Sequence, residues 1–314
     1  MITKIERIKG GFWGLLVGDA LGVPYEFKSP EELPDIEHIE FNPPAGFNRT
    51  YLGVAPGTWS DDGAQALCLM DSLLERDKMD INDFAQRLLA WYEEGLWAVG
   101  GKVFDCGIQT SQALKAFETG VSPYKSGMVR PDGKGNGALM RVLPLALWHK
   151  GTDAELVMDA HTQSMVTHGH ICNQVCCALY CLWARNLMEG MEGEEGYKKA
   201  VSALRNIYKD NEEYTKELEF GVRPDAEECG TGSGYVVDSI RSARMLLKYK
   251  SYERVVKEAV ALGNDTDTTA AIVGGLAGIR DGIDAIPARW FDNLKERERA
   301  EGLLNKLIEA IGMV

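Results

Sequence analysis

The chain has 314 residues, of which 45% are hydrophobic and 26% are charged, proportions that are ordinary for a globular protein. Its 47 acidic and 34 basic residues give a formal net charge of −13, which disfavours nonspecific nucleic-acid binding because that requires clustered lysine and arginine. No uncharged apolar stretch reaches the roughly 20 residues of a membrane span. We therefore expect a cytoplasmic protein that does not enter a membrane.

The chain starts with basic residues and the apolar run Gly11 to Gly18, an order that secretory signals share. Because Asp19 ends the run and no small-residue cleavage site follows it, we expect a helix of the core. Glycine recurs here at every fourth position, at Gly10, Gly14, Gly18 and Gly22. A glycine inside a helix costs about 1 kcal/mol relative to alanine. Close packing against another helix would offset that cost.

Most of the remaining sequence has apolar residues at helical spacing, and segments that alternate like strands are scarce. The irregular segment 33–58 holds four prolines and three glycines and could form a short hairpin. The predicted helices are, in chain order, Gly63–Glu75, Ile81–Glu94 capped by Asp80, a segment through Val166 capped by Thr152 with Glu155 in a capping box, Ile171–Met188, Tyr197–Tyr208, Ser233–Tyr249, Tyr252–Leu262, Thr266–Ile279 and Ala288–Ile311.

The predicted helix Thr266–Ile279 repeats the glycine spacing at Ala270, Gly274 and Gly278, so we expect it to lie centrally and close to a neighbour. Many helices, without a βαβ rhythm or a long repeat, predict an all-α fold with one compact multi-helix domain over residues 1–314. The break Glu189–Gly196 is the only candidate linker by composition, and it is too short to separate two domains.

Four of the seven cysteines, Cys172, Cys176, Cys177 and Cys181, lie near one face of a predicted helix. Iron–sulfur and zinc sites usually take their ligands from C-x2-C pairs in loops, and the sequence has no such pair. We therefore interpret these residues as buried thiols in a reducing compartment.

Acidic clusters flank the same elements. Asp19 lies between Gly18 and Gly22 and is followed by Glu26, while two further clusters start predicted helices: Ser60-Asp61-Asp62 and Asp265-Thr266-Asp267-Thr268. One oxygen at a helix start is commonly a cap that contributes about 0.5–2 kcal/mol. A second carboxylate beside it adds repulsion unless a cation is bound.

The two helix-start clusters together supply enough oxygen ligands for a pair of hard divalent cations. The candidate ligands are Ser60, Asp61, Asp62, Asp265, Asp267 and Thr268. On spacing alone, helix caps and a binuclear metal site remain alternatives. An EF-hand is disfavoured because Thr269 breaks its pattern. Zinc is disfavoured because no pair of histidines lies near the clusters.

Taken together, four motifs resemble the ADP-ribosylglycohydrolases, of the dinitrogenase-reductase-activating glycohydrolase and ADP-ribosyl-acceptor hydrolase type. They are Gly18–Gly22 with Glu26, Ser60–Asp62, Gly135–Arg141 and Asn264–Thr268, and the pair Thr167-His168 also matches. The motifs span most of the chain and are specific jointly rather than singly. The resemblance implies an all-α fold with two Mg²⁺ or Mn²⁺ ions in a central cleft.

The implied activity is hydrolysis of the glycosidic bond between ADP-ribose and an acceptor, either a modified protein side chain or a small-molecule conjugate. The implied metal ligands are the six oxygen-bearing side chains named above. The ions are expected to hold the ribose diol and a water, while carboxylates stabilise an oxocarbenium-like state. Glu26, Asp61 and Asp267 are expected to be catalytic, with Glu26 or an aspartate orienting the water.

Substrate binding is expected at Gly135, Asn136, Gly137 and His168, although Asn136 could instead be a turn residue and His168 a core imidazole. The loop Gly133–Gly137 is expected to lead into a helix and to offer N–H groups to the diphosphate.

The sequence departs from some relatives at two places. The loop 130–135 lacks the aromatic residue that can stack on adenine, and Asp105 matches an aspartate of some bacterial members. A helix cap is our preferred interpretation of Asp105.

Three other functions compete with this one. A binuclear phosphoesterase would be expected to hold phosphate with Lys or Arg beside the metal clusters, and none adjoins them. An ADP-ribose-binding module without turnover, or a structural relative without activity, would be expected to have lost metal ligands. All six candidate ligands are present, so hydrolysis is favoured.

Overall fold

Glycine at every fourth position allows the first helix, α1 (Lys4–Gly22), to lie directly against α13 (Thr266–Asp281). A Cβ atom placed on Gly10 would overlap the carbonyl oxygen of Gly278, and one placed on Gly278 would overlap that of Gly10. The same reciprocal approach recurs one turn further along, between Gly14 and Gly274. The predicted central pair of helices is confirmed, since both are buried along most of their length.

The other helices surround this pair in the computed structural model, which describes residues 2–227 and 229–312. They are α2 (Asp61–Arg76), α3 (Ile81–Glu94), α4 (Ile108–Glu118), α5 (Pro123–Ser126), α6 (Leu143–Trp148), α7 (Asp153–Met165), α8 (Ile171–Met188), α9 (Gly193–Tyr208), α10 (Glu212–Lys216) with the π-helical segment Glu217–Val222, α11 (Val236–Leu246), α12 (Tyr252–Ala261), α14 (Ala288–Phe291) and α15 (Arg297–Ala310). The described residues contain no β-strand and form one compact helical domain. None of the described helices is both long and apolar enough to cross a membrane.

Capping residues fix the starts of several helices. Asp80 accepts hydrogen bonds from the N–H groups of Asn82 and Asp83, and α3 has the predicted bounds. Thr152 and Glu155 form the predicted capping box of α7. The bounds of α8 are also as predicted, and its four cysteines are buried as free thiols.

Several predicted elements differ from the structure, among them the predicted helix Ser233–Tyr249, which is observed only over Val236–Leu246 (α11). The break Glu189–Gly196 is shorter, because α9 already begins at Gly193. The predicted helix Ala288–Ile311 is wrong, since α14 and α15 are separate. Glu296 between them adopts a left-handed conformation, and the N–H of Lys295 donates to the carbonyl of Gly57 (2.8 Å) instead of continuing a helix.

The hairpin considered for residues 33–58 is also absent from the described chain. The segment instead contains the short 3₁₀ turn Ile36–His38 and further local turns. The hydroxyl of Tyr25 donates to the carbonyl of Glu40 (2.8 Å) and accepts its N–H (3.0 Å). A side chain thus satisfies backbone groups that a hairpin would have paired with another strand.

Candidate active site

One turn of α1 positions the starts of two other helices. The carboxylate of Asp19 accepts the N–H groups of Ser60 (2.9 Å) and Gly63 (2.7 Å), which fixes the start of α2. The carbonyl of Gly22 accepts the hydroxyl of Thr266 (2.9 Å), and a Cβ on Gly22 would overlap the backbone of Asp267. The starts of α2 and α13 are therefore both anchored to the same short part of α1.

The two helix-start clusters meet at Asp62. Its Oδ2 atom accepts the hydroxyl of Ser60 (3.2 Å) from its own cluster and the hydroxyl of Thr268 (3.3 Å) from the other. The structure thus brings together side chains about 200 residues apart in sequence (|i−j| = 206). The predicted ligand residues of both clusters lie in one region.

In each of the two clusters, a side-chain amide donates a hydrogen bond to one oxygen of a further aspartate. The Nε2 atom of Gln65 donates to Asp61 (3.0 Å), and the Nδ2 atom of Asn136 donates to Asp265 (2.7 Å). Asn136 was predicted as a substrate-binding residue, and the structure places it against a predicted metal ligand. One carboxylate of each cluster is therefore held by a neutral donor.

Glu26, Asp105 and Asp267 form a third group, in which one carboxylate oxygen from each residue lies within 4.8 Å of the others. The prediction that Asp105 caps a helix is wrong. Helix α4 begins after Gly107 without a side-chain cap, and Asp105 has a φ of 50°. Aspartate tolerates this left-handed conformation better than most residues do. The side chain of Tyr51 interacts with both Glu26 and Asp105.

Burial and neighbouring negative charges raise the pKa values of these carboxyl groups. Burial is the larger cause at Asp61, Asp62 and Asp267, whose pKa values lie well above the usual range, and nearby aspartates raise them further. Burial also raises the pKa of Asp105 to about 6 and that of Asp19 to about 7. Keeping such a group of carboxylates ionised at neutral pH requires a compensating positive charge.

Several buried carboxylate oxygens have no hydrogen-bond donor among the described residues. Glu26 Oε2, Asp62 Oδ1 and Asp267 Oδ2 are buried and have no hydrogen-bond partner within residues 2–227 and 229–312. A buried carboxylate oxygen without a partner is costly, and bound cations are a common compensation. Hydroxyl and carboxylate oxygens are the donors that Mg²⁺ and Mn²⁺ prefer. The residues present therefore fit hard divalent ions.

An open cavity of about 920 Å³ adjoins the acidic group at Glu26, and a cavity of this volume can hold a nucleotide-sized ligand. Its acidic part is lined by Glu26, Asp61, Asp105, Asp265 and Thr268. The cavity is also lined by Gly135, Asn136, Gly137, His168 and Gln109, and by Phe27 and Ile108, which are exposed. The predicted substrate-binding residues and part of the predicted metal ligands thus face one cavity.

His168 contributes a neutral imidazole to this cavity. Burial lowers its pKa to about 3, and its Nδ1 atom lies 2.8 Å from the hydroxyl of Thr167. A Cβ placed on Gly137 would lie 2.8 Å from the ring of His168. The absence of a side chain at Gly137 therefore leaves room for the imidazole ring at the cavity.

The loop Gly133–Gly137 differs from the prediction that it leads into a helix. The carbonyl of Asn136 accepts N–H groups in a local turn, and the next helix, α6, begins only at Leu143. The N–H of Gly135 is bound by Gln109 (2.9 Å), and that of Asn136 by the carbonyl of Gly234 (3.0 Å). These two N–H groups are therefore occupied by protein acceptors, and the loop does not lead directly into a helix.

Comparison with known proteins identifies the fold and the chemistry. A sequence profile of the ADP-ribosylglycohydrolase family matches residues 1–313. This chain belongs to the ADP-ribosylglycohydrolase family. Such an enzyme is a hydrolase that cleaves the glycosidic bond of ADP-ribose to an acceptor, and a metal requirement is compatible with the acidic group described above.

The relatives of this ADP-ribosylglycohydrolase match nearly all of its chain. The chain is 29% identical to the ADP-ribosylarginine hydrolase Tri1 of Serratia proteamaculans, over 97% of this chain and 79% of that protein. It is 28% identical to the ADP-ribosyl-[dinitrogen reductase] glycohydrolase of Rhodospirillum rubrum, over 94% and 92%. A solved structure described as an ADP-ribosylglycohydrolase-related protein complex matches with a TM-score of 0.76 at 29% identity, covering 99% of both chains.

Sequence reasoning missed several residues of this site. Gln65 lies four residues after Asp61, a helical spacing at which side chains meet, so the hydrogen bond could have been anticipated. Gln109 and Tyr51 carry no comparable local signal, because their contacts join segments that are distant in sequence.

Proposed function

We propose that this ADP-ribosylglycohydrolase removes ADP-ribose from arginine side chains of modified proteins, with two Mg²⁺ or Mn²⁺ ions as cofactors. The observation that carries the proposal is the group of buried carboxylates beside the cavity, in which oxygens of Glu26, Asp62 and Asp267 have no hydrogen-bond partner within the described residues. Small-molecule conjugates of ADP-ribose with a guanidine would be substrates of the same chemistry.

The metal ligands in this proposal are Ser60, Asp61, Asp62, Asp265, Asp267 and Thr268. When bound, the ions would supply Lewis-acid polarisation of the ribose hydroxyls and of water. Their positive charge would also keep the neighbouring carboxylates ionised near neutral pH, against the burial that raises the pKa values of Asp62 and Asp267.

Glu26, Asp61 and Asp267 are the proposed catalytic residues. Glu26 Oε2 has no hydrogen-bond partner in the described structure, so it is free to orient the attacking water and to accept its proton. The surrounding aspartates would stabilise the positive charge that develops on the ribose as the bond breaks. Tyr51 keeps the carboxylate of Glu26 beside that of Asp105.

Substrate contacts are proposed at the other residues that line the cavity. His168, held neutral by burial, can hydrogen-bond a ribose hydroxyl or a phosphate oxygen, and Gly135, Asn136 and Gly137 line the path of the diphosphate. Asn136 also holds Asp265, so its loss would disturb both the substrate and the metal side of the site.

Two observations support arginine as the acceptor. The leaving group would be a guanidine, which is protonated in arginine at all ordinary pH values and pairs well with carboxylates. Asp105 and Glu26 lie at the cavity, where they can receive it. The printed name of the Serratia relative also specifies ADP-ribosylarginine. We further propose a cytoplasmic location, consistent with seven free cysteines.

The test is a panel of ADP-ribose linked to arginine or to serine, assayed with EDTA, Mg²⁺ or Mn²⁺. We expect release of ADP-ribose from arginine, loss of activity in EDTA, and recovery with either ion. Asp61→Asn should abolish turnover without unfolding the protein, while Asp35→Asn, at an exposed position, should behave as wild type. Preferential cleavage of the serine linkage, or full activity in EDTA, would contradict the proposal.

A further inference from the structure

Arg141 is a buried cation that is linked to the candidate metal site by the side chain of Gln65, which contacts both Arg141 and Asp61. It is 0% exposed, and its guanidinium lies 5.1 Å from the centre of the Phe84 ring. Its hydrogen bonds go to Gln65 Oε1 (2.8 Å), Gln163 Oε1 (3.2 Å) and the Gln163 carbonyl (3.1 Å). Burial lowers its pKa to about 10, which leaves it charged at neutral pH. A buried charge held by amides rather than by a contacting carboxylate is uncommon.

The contact with Arg141 fixes the direction of the Gln65 amide. A guanidinium has only N–H donors, so the atom of Gln65 that faces it must be the oxygen. The NH₂ group of Gln65 must then point away from Arg141 and towards Asp61, whose Oδ2 atom lies 3.0 Å from Nε2. The orientation follows from the chemistry of the two neighbours.

One oxygen of Asp61 is occupied by this donor, and the other is left for a ligand of the cavity that Asp61 lines. Gln65 is fully buried and lies on the same helix one turn after Asp61, so the pair moves as a unit. Groups that hold a metal ligand in this way typically change metal affinity or activity by about 10–100-fold when they are removed.

We infer that Gln65 and Arg141 are positioning residues of the metal centre, in which Arg141 fixes the Gln65 amide and Gln65 presents Asp61 to an ion. The inference rests on the metal centre of the proposed function, but not on the identity of the acceptor. It assigns a role in the reaction to two side chains that do not line the cavity.

Gln163 provides a matched control, since it also binds Arg141 through its side-chain oxygen. Its NH₂ group donates to the carbonyl of Ala138 (3.2 Å) instead of to an aspartate. Gln65→Met and Gln163→Met therefore remove the same chemical group from the same buried arginine. Only the first removes the donor to Asp61.

The experiment measures the Mn²⁺ concentration that gives half of the Mn²⁺-induced rise in melting temperature, together with kcat and KM on an ADP-ribosylarginine substrate. For Gln65→Met we expect the Mn²⁺ requirement to rise at least about tenfold and kcat to fall by a similar factor. For Gln163→Met we expect both quantities to stay within about threefold of wild type. If Gln65→Met does not fold, Gln65→Asn retains a buried amide that is too short to span Arg141 and Asp61, with the same expected result.

Equal Mn²⁺ requirements in wild type and both variants would overturn the inference. Equal increases in the Mn²⁺ requirement of both variants would also overturn it. The effect would then come from the loss of an acceptor for Arg141 and not from the loss of the donor to Asp61. A wild-type protein that is not stabilised by Mn²⁺ would do the same. A wild type that is stabilised by Mn²⁺ but does not cleave ADP-ribosylarginine would overturn the proposed function, and the comparison of Gln65→Met with Gln163→Met would still decide this inference.

Discussion

Asp105 shows how a single residue joins the acidic group from outside the two helix starts. Its left-handed backbone turns the carboxylate towards Glu26 and Asp267 rather than towards the start of α4. Burial and the nearby Asp265 raise its pKa to about 6, above that of an ordinary aspartate, although hydrogen bonds with Glu26, the Cys106 backbone and Tyr51 oppose the rise. This position is exposed to the cavity, so the carboxylate can act on a substrate there.

We expect Asp105→Asn to lower kcat/KM by about 10²-fold or more, as is typical when a charged group of an active site is lost. The melting temperature should not fall, because the amide has a similar size and removes a repulsive charge. Steady-state kinetics and thermal unfolding check the two halves of this prediction. Unchanged kinetics would contradict a role for Asp105 in the reaction.

The two acidic clusters at the starts of α2 and α13 could be recognised from the sequence, because their hydroxyl and carboxyl groups are adjacent in the chain. The place of Asp105 could not, since a lone aspartate before a helix has the same local pattern whether or not it caps that helix. The Arg141–Gln65 contact was equally hidden. It depends on the approach of the segment before α6 to α2, which no local spacing encodes.

At the scale of helices, the packing of α1 on α13 depends on positions where no side chain fits. Gly278 is such a position, because a Cβ there would overlap the carbonyl of Gly10 and lie close to Gly11. Neither neighbour can move aside, since both atoms belong to the backbone. The helices would have to separate, which would displace the start of α13 as well.

We expect Gly278→Ala to lower the free energy of unfolding by about 1–3 kcal/mol or more, as overpacking does elsewhere. Gly302→Ala is the control, because Gly302 lies in α15 with no atom near an added Cβ. There the better helix propensity of alanine should raise stability by about 0.5–1 kcal/mol. Urea unfolding of both variants measures the difference. A neutral Gly278→Ala would show that the helices are less closely packed than described.

Glycine spacing and capping residues predicted the central helix pair, the bounds of α3 and the start of α7, because those signals are local. The interruption between α14 and α15 depends instead on long-range contacts. The indole N–H of Trp290 donates to Glu40 (2.5 Å), and Lys295 is held by the backbone of Gly57. Local periodicity could not reveal that these contacts end one helix and start another.

At the scale of the whole molecule, the protein has a net charge of −13 and also buries several carboxyl groups, among them those of Glu26, Asp62 and Asp267. Burial raises the pKa of Asp105 to about 6 and that of Asp19 to about 7, so these groups bind protons more tightly in the folded state than in the unfolded state. Their contribution to stability is present below about pH 4 and is lost as the pH rises through 6 to 7.

Without divalent ions, we therefore expect the melting temperature to fall as the pH rises from about 5 to about 7.5. Ion binding requires ionised carboxylates, so the rise in melting temperature caused by Mn²⁺ should be larger at the higher pH. Thermal unfolding in EDTA and in Mn²⁺ at both pH values measures this, and Asp267→Asn should reduce the effect of Mn²⁺. A rise that is equal at both pH values would contradict the expectation.

Asp19 and Gly22 are three positions apart on α1, which corresponds to about 4.5 Å along a helix axis. Since one fixes the start of α2 and the other the start of α13, the distance between the two acidic helix ends is set by less than one turn of rigid backbone. An insertion between these positions would rotate one anchor by about 100° relative to the other. Insertions and deletions in this turn should therefore be tolerated far less than changes in surface loops, even where the new residue is small and apolar.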